Sequence, residues 1–169
     1  TAIQQVSAVS AIINGGTLYK PFIVKSIGNV KNNPIVRKEN IVKKETSELV
    51  KYALESVVAN GSGRNAYIEN YRVGGKTGTA QKVGKNKTYE SGNYILSFIG
   101  FMPANKPEYV IYIALDHPTG VTQYGGVVSA PIAKSVLENI LKITVDNKYK
   151  GIVTSDELGI PLKNSDIIL

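Results

Sequence analysis

Two apolar segments, Tyr94–Phe101 and Tyr109–Leu115, are separated only by Met102-Pro103-Ala104-Asn105-Lys106-Pro107-Glu108, and this juxtaposition constrains the fold more than any other feature of the chain. Short runs rich in β-branched and aromatic residues, bounded by a proline-bearing turn, predict adjacent antiparallel strands. Both runs are nearly continuous in apolar residues, so each strand is expected to be buried on two faces.

The layers that cover such a sheet are visible at either end of the chain. Ala2, Ile3, Val6, Val9, Ile12 and Ile13 recur at three- and four-residue spacing, which predicts a helix over Thr1–Ile13 that Asn14-Gly15-Gly16 stops in a left-handed turn. This helix starts at the first residue with no lead-in, so the chain is expected to be part of something longer. A second helix is expected after Thr46 or Ser47 as cap, with Glu48 at its positive end and Leu49, Val50, Ala53, Leu54, Val57 and Val58 on its buried face, up to Asn60-Gly61. A third begins around Ser129 with Pro131 in its first turn and carries Ile132, Ala133, Val136, Leu137, Ile140 and Leu141. Between the first two, Phe22–Ile27 and Ile35–Val42 predict a hairpin across the turn-rich Gly28–Pro34. Gly61-Ser62-Gly63 opens a flexible connection toward Tyr71. The expected class is α/β, an antiparallel sheet packed with helices, over residues 1–150. Beyond Tyr149 the period dissolves, and residues 151–169 are expected to be a tail or linker; no repeat of solenoid length is present.

Composition narrows the chemistry. With 43% hydrophobic and 20% charged residues the chain has a globular profile. It contains no cysteine, which removes disulfides, thiolate catalysis and cysteine zinc sites together. The single histidine, His117 in Asp116-His117-Pro118, reads as a solvated loop residue, so neither a metal nor a cofactor is expected. The longest strongly apolar run, Tyr109–Leu115, falls well short of the roughly 20 residues of a membrane helix, and Thr1–Val6 lacks the features of a signal peptide. Any membrane attachment is expected to lie upstream. The net charge of +7 comes from lysines scattered singly or in pairs, apart from Lys82, Lys85 and Lys87 in one loop. Without interleaved stacking aromatics or a recognition helix, this is no nucleic-acid footprint, and a basic surface facing an anionic envelope polymer is equally compatible.

The chemically loaded segment is Val73-Gly74-Gly75-Lys76-Thr77-Gly78-Thr79-Ala80-Gln81-Lys82. A phosphate-cradling loop would need a glycine five residues before Gly75, where Asn70 stands, and a helix directly after the threonine, where Gly78 and Thr79 stand. Nucleotide binding is therefore disfavoured, and would require an affinity that Lys76→Ala abolishes. The order of neighbouring segments points elsewhere: the helix ending Asn14-Gly15-Gly16 and then Pro21, the turn Gly61-Ser62-Gly63, the triplet Lys76-Thr77-Gly78 within Gly75–Gln81, then Ser97-Phe98-Ile99-Gly100-Phe101-Met102-Pro103, and Gly125-Gly126-Val127-Val128-Ser129-Ala130-Pro131. Each resembles a segment of the penicillin-binding proteins, whose active site is edged by a strand bearing Lys-Thr-Gly. Over about residues 1–143 the chain resembles the C-terminal part of the transpeptidase domain of class B, monofunctional members, closest to the division and sporulation types.

That resemblance implies a partial penicillin-binding, β-lactamase-like fold and acyl transfer through a serine ester. It implies that the Thr77 hydroxyl holds the substrate's terminal carboxylate, that the Lys76 ammonium keeps the cleft positive and tunes the serine and its base, that Gly78 lets the substrate backbone approach, and that the Thr79 backbone N–H is one of two oxyanion donors. The substrates implied are peptidoglycan stem peptides ending in D-alanyl-D-alanine, with β-lactams as inhibitors, outside the cytoplasmic membrane. The sequence departs from the family in one respect. No serine from Ser7 to Ser165 has lysine three residues on, and the only Ser-x-Asn, Ser91-Gly92-Asn93, follows the triplet and is taken as chance. The nucleophile is thus expected upstream and the chain alone inactive; the alternative is a non-catalytic module that binds peptidoglycan or protein. Loss of the rest of such a domain is expected to expose apolar surface through which the isolated chain self-associates.

Overall fold

The structure, a computed structural model, describes residues 1–84 and 86–144. The expected tail at 151–169 lies outside the described residues, as does Lys85. Helix α1 spans Ala2–Ile13, α2 Lys44–Asn60 and α3 Gly125–Thr144; the strands are β1 Leu18–Lys20, β2 Ser26–Ile27, β3 Val30–Lys31, β4 Ile35–Lys38, β5 Gly74–Val83, β6 Tyr89–Met102 and β7 Tyr109–Asp116. The order β5-β6-β7 makes one antiparallel three-stranded sheet, with β6 in the centre. No helix among the described residues is long and apolar enough to cross a membrane.

The two apolar runs pair as their spacing predicts, Phe98 opposite Ile113 and Phe101 opposite Val110. Alternation along β6 then sends Phe98 and Met102 to one face and Phe101 to the other. On the first face they meet Ala130, Ala133 and Leu137 of α3 together with Val58, Ala66, Ile68 and Val73. On the second, Phe101 packs with Ile13 of α1 and Ala104, with Val9, Leu54 and Val110 around them. Leu96, Phe98, Phe101, Met102 and Leu137 are fully enclosed. Burying an apolar side chain of this size is worth about 1.5–3 kcal/mol, so the sheet is held from both sides by the first and last helices.

Three expectations need correction. The hairpin expected between Phe22–Ile27 and Ile35–Val42 is replaced by two nested ladders: Ser26–Ile27 pairs with Val30–Lys31 across a turn in which Gly28 has φ +57°, and Ile35–Lys38 pairs with Leu18–Lys20. The tight turn is accessible because Gly28 accepts the left-handed conformation without strain. Helix α3 starts one turn before Ser129, at Gly125, and Pro131 sits within it rather than in the opening turn. Helix α2 starts at Lys44, so Ser47 is no cap, and its most deeply buried residues are Ser47, Lys51, Glu55 and Val58, while Leu49 is 68% exposed.

Ser47, Lys51 and Glu55, at i, i+4 and i+8, form a polar stripe, and each member holds a different loop. The Ser47 hydroxyl accepts from Gly15 N–H at 3.1 Å, just beyond the α1 stop, where Gly15 and Gly16 have φ of +94° and +101°. Lys51 Nζ donates to the Asn105 carbonyl at 2.9 Å in the β6–β7 turn and is also 2.9 Å from Glu48 Oε2. Glu55 takes a two-pronged contact from Arg72, Nε to Oε1 at 2.8 Å and Nη2 to Oε2 at 2.9 Å. The Arg72 carbonyl in turn accepts from Ala104 N–H at 2.9 Å. Buried polar groups are tolerated where they are paired, and here the pairing fastens three connections to one helix.

Candidate functional site

Residues Gly74-Gly75-Lys76-Thr77-Gly78 have little intrinsic preference for a strand, yet they open the ten-residue β5. The cause lies on the partner strand. Opposite them on β6 stand Phe101, Gly100, Ile99, Phe98 and Ser97. A Cβ on Gly75 would stand 2.4 Å from Phe98 Cζ, and one on Gly74 2.3 Å from Phe101 Cζ. The two rings thus occupy the room that side chains at 74 and 75 would take, and the glycines admit them. A Cβ on Gly78 would likewise lie 2.4 Å from Ser97 Oγ.

The second edge of β5 carries no strand among the described residues. Peptide groups along this edge that do not bond to β6 are open to an incoming chain. Lys76 is exposed, and its ammonium donates to the Thr77 carbonyl at 3.0 Å. Thr77 is half-buried and shares register alternation with Thr79, so both hydroxyls rise on the face where α3 begins.

Two segments close on that face. The turn after α2 brings Ser62 Oγ to 3.1 Å from Thr77 Oγ1, and Asn65 Nδ2 donates to the Gly126 carbonyl at 2.8 Å. The start of α3 approaches from the other side: Gly125 N–H donates to Thr79 Oγ1 at 3.2 Å. A Cβ on Gly125 would stand 2.4 Å from both the Gly78 and Ser97 carbonyl oxygens, and one on Gly126 2.4 Å from the Ser62 carbonyl oxygen. Helix α3 therefore begins with its backbone against the strand pair, and its N-terminal dipole end, equivalent to about half a positive charge, lies beside Thr79. Together with Lys76, the open edge of β5 offers cationic character, two threonine hydroxyls and backbone groups.

The four residues singled out in the sequence, Lys76, Thr77, Gly78 and Thr79, are consecutive on this edge strand. Sequence reading missed the particular roles of Ser62, Asn65, Ser97, Gly125 and Gly126, although each except Asn65 falls in a segment that the resemblance marked. The resemblance implies a role only for the Thr79 backbone N–H, whereas the Thr79 hydroxyl also anchors α3. Ser91-Gly92-Asn93 is part of β6, beyond the pairing of Gln81 with Tyr94. His117 is an exposed residue at φ +51° after β7, its N–H bonded to the Tyr94 carbonyl at 2.9 Å. Among the described residues no group of three or more His, Cys, Asp or Glu is arranged to hold a metal.

The family model described as penicillin binding protein transpeptidase domain matches residues 1–138. Stage V sporulation protein D of Bacillus subtilis is 52% identical over 164 residues, covering 89% of this chain and 25% of that protein. Peptidoglycan D,D-transpeptidase FtsI of Escherichia coli is 30% identical over 154 residues, covering 90% of this chain and 25% of the relative. Among solved structures, the transpeptidase domain of penicillin-binding protein 3 from Burkholderia pseudomallei superposes with a TM-score of 0.74 at 31% identity, covering 89% of this chain and 44% of that one. Penicillin-binding protein 3 from Mycobacterium tuberculosis, solved with aztreonam, gives 0.72 at 27% identity, covering 90% and 36%. The chain thus spans a quarter of the length of these curated relatives.

Proposed function

We propose, from the premise that this chain belongs to the penicillin-binding protein transpeptidase family, that it forms the Lys-Thr-Gly wall of an acyl-serine active site in a peptidoglycan D,D-transpeptidase. The observation that carries the reading is the open edge of β5, on which Lys76, Thr77, Gly78 and Thr79 stand in sequence with the start of α3 against them. A substrate that lies along this edge as an additional strand meets the wall through its backbone. Thr77 Oγ1 then donates to the terminal carboxylate of the stem peptide, and Lys76 supplies the positive charge that draws that carboxylate into the cleft. Gly78, with no side chain, leaves the strand open to the substrate backbone. The Thr79 N–H stabilises the oxyanion that forms as the serine oxygen adds to the scissile carbonyl, a contribution worth about 3 kcal/mol in the barrier for a single donor.

The serine itself, absent from this sequence as Ser-x-x-Lys, comes from elsewhere in the full-length protein. It attacks the carbonyl of the penultimate D-alanine, the terminal D-alanine leaves as its amine, and the ester is resolved by an acceptor amine from a second stem peptide. A β-lactam takes the same route and stops at the ester, as aztreonam in the Mycobacterium tuberculosis relative invites. The work is done on the extracytoplasmic side of the membrane, with attachment through sequence outside this chain and with neither metal nor nucleic acid taking part. In the isolated chain, apolar side chains such as Phe22, Ile23, Val24, Ile27 and Val30, all at least 44% exposed, provide a surface for self-association.

Intact-mass spectrometry after incubation with benzylpenicillin tests the reading. The full-length protein is expected to gain one penicilloyl adduct and the 169-residue chain none. A full-length protein without an adduct favours the binding-module alternative and withdraws the roles given to Lys76 and Thr79; an adduct on the isolated chain removes the claim that its nucleophile lies elsewhere. Light scattering that shows the isolated chain strictly monomeric removes the self-association proposal.

A further inference from the structure

Ser62 Oγ and Thr77 Oγ1 stand 3.1 Å apart, and either oxygen can be the donor. The two directions are not equivalent to a ligand. A hydroxyl has one proton and two acceptor sites. If Thr77 spends its proton on Ser62, it can only accept from whatever enters the cleft. If Ser62 donates, the Thr77 proton remains available, and a carboxylate, which at neutral pH accepts and cannot donate, is met by a donor already in place.

We propose that Ser62 is the donor of this pair and acts as a positioning residue that commits the Thr77 proton to an anionic carboxylate. The proposal rests on the reading of Thr77 as carboxylate anchor. Three observations make Ser62 suited to it. Its backbone is fixed on both sides, since Gly61 N–H and Gly63 N–H both donate to the Val57 carbonyl, at 3.1 and 3.0 Å, at the end of α2. The turn is also tied to α3, through Asn65 Nδ2 on the Gly126 carbonyl at 2.8 Å and through the close approach of Gly126 to the Ser62 carbonyl. Finally, the Lys76 ammonium donates to the Thr77 carbonyl, 3.0 Å away, so the charge that attracts an anion is held next to the residue whose hydroxyl must receive it. Because a charged oxygen accepts a stronger hydrogen bond than an ester carbonyl, Ser62 thereby favours acids more than their uncharged esters.

The test compares the full-length protein with its Ser62→Ala, Ser62→Gly and Ser62→Thr variants in acylation by benzylpenicillin and by its methyl ester, with binding and acylation separated from the concentration dependence of the rate. Ser62→Ala and Ser62→Gly are expected to lower the second-order rate for the acid by about fivefold to tenfold, the loss of one hydrogen bond to a group that meets a charge, and to do so through weaker binding. Ser62→Thr retains the hydroxyl and is expected to stay within about twofold of wild type, and rates with the ester, whose uncharged carbonyl accepts a weaker hydrogen bond, are expected to fall less than those with the acid. Unchanged acylation by the acid in both Ser62→Ala and Ser62→Gly overturns the proposal, as does an equal loss for acid and ester, which marks a role in holding the fold. A wild-type protein acylated by neither compound overturns the functional reading, and this proposal with it, a result distinct from acylation that ignores Ser62.

Discussion

The Glu55–Arg72 pair ties α2 to the segment leading into β5, and its removal has a calculable outcome. The Glu55 side chain is 5% exposed and that of Arg72 13%, so neither charge can turn to water in place. Arg72→Met leaves a carboxylate in an enclosed position without its two contacts at 2.8 and 2.9 Å. Breaking a buried pair from one side costs about 3–5 kcal/mol, because the desolvation of the survivor is no longer offset. Exchanging both members for apolar residues of similar volume is often close to neutral, so the double variant Glu55→Met/Arg72→Met is expected to be more stable than Arg72→Met alone. At about 2.1 cal/mol/K of unfolding entropy per residue, a whole transpeptidase domain of about 340 residues shifts by about 1.4 °C per kcal/mol, so the single change lowers the melting temperature of that domain in the full-length protein by about 4–7 °C. Thermal unfolding followed by circular dichroism reads this directly, and a double-mutant cycle isolates the coupling. The reasoning is refuted if Arg72→Met melts within about 2 °C of wild type, or if the two substitutions simply add.

Gly75→Ala forces a Cβ to 2.4 Å from Phe98 Cζ and 2.8 Å from the Ile99 carbonyl oxygen, and because that ring is fully enclosed the strand must shift. A loss of about 1–3 kcal/mol in denaturant unfolding and slower β-lactam acylation are expected. Gly126→Ala gains up to about 1 kcal/mol of helix propensity but places a Cβ 2.4 Å from the Ser62 carbonyl oxygen, a backbone atom that cannot move aside cheaply; a net loss of stability together with weakened penicillin binding is the expected result, and a stabilised, fully active variant would show the approach is loose. Ser47→Ala leaves Gly15 N–H without its acceptor at 3.1 Å and is expected to cost about 1–2 kcal/mol, measured by the same unfolding assay, with little effect on acylation because the contact lies at the α1 stop.

How far such structure was legible in the sequence depended on the range of the interactions that fix it. Helix α1 and its stop follow from local spacing and from two glycines that take positive φ, and β6 and β7 follow from two apolar runs with a turn between them. The face of α2 was misjudged because an apolar count favours Leu49 and Ala53, whereas the groups that bury Ser47, Lys51 and Glu55 come from Gly15, Asn105 and Arg72. Nothing near α2 in sequence announces those partners. Strand β5 was illegible from propensity alone, since glycine, lysine and threonine at 74–79 make a weak strand, and only the resemblance placed the triplet on one. Its regularity is imposed by β6, whose aromatic rings need the space the glycines leave. Ser62 and Asn65 find partners 15 and 61 residues away, so their part in the site could not be read from neighbours.

The same glycines explain why the start of α3 departs from what its own sequence favours. Gly125 and Gly126 are poor helix formers, each costing up to about 1 kcal/mol against alanine in a helix interior, and Pro131 forgoes a backbone donor further on. A helix chosen for stability alone would begin at Ser129 with proline in its first turn, as its residues suggest. The extra turn at Gly125 is retained because only a residue without a side chain can bring the helix to within contact of the Gly78 and Ser97 carbonyls, and only from there can the Gly125 N–H reach the Thr79 hydroxyl. Local stability is therefore given up at the point where the helix dipole meets the edge of β5. It follows that substitutions raising helix propensity at 125 or 126 should harm the site in proportion to the bulk they add, whereas the same substitutions at exposed α3 positions such as Ser135 should leave acylation unchanged.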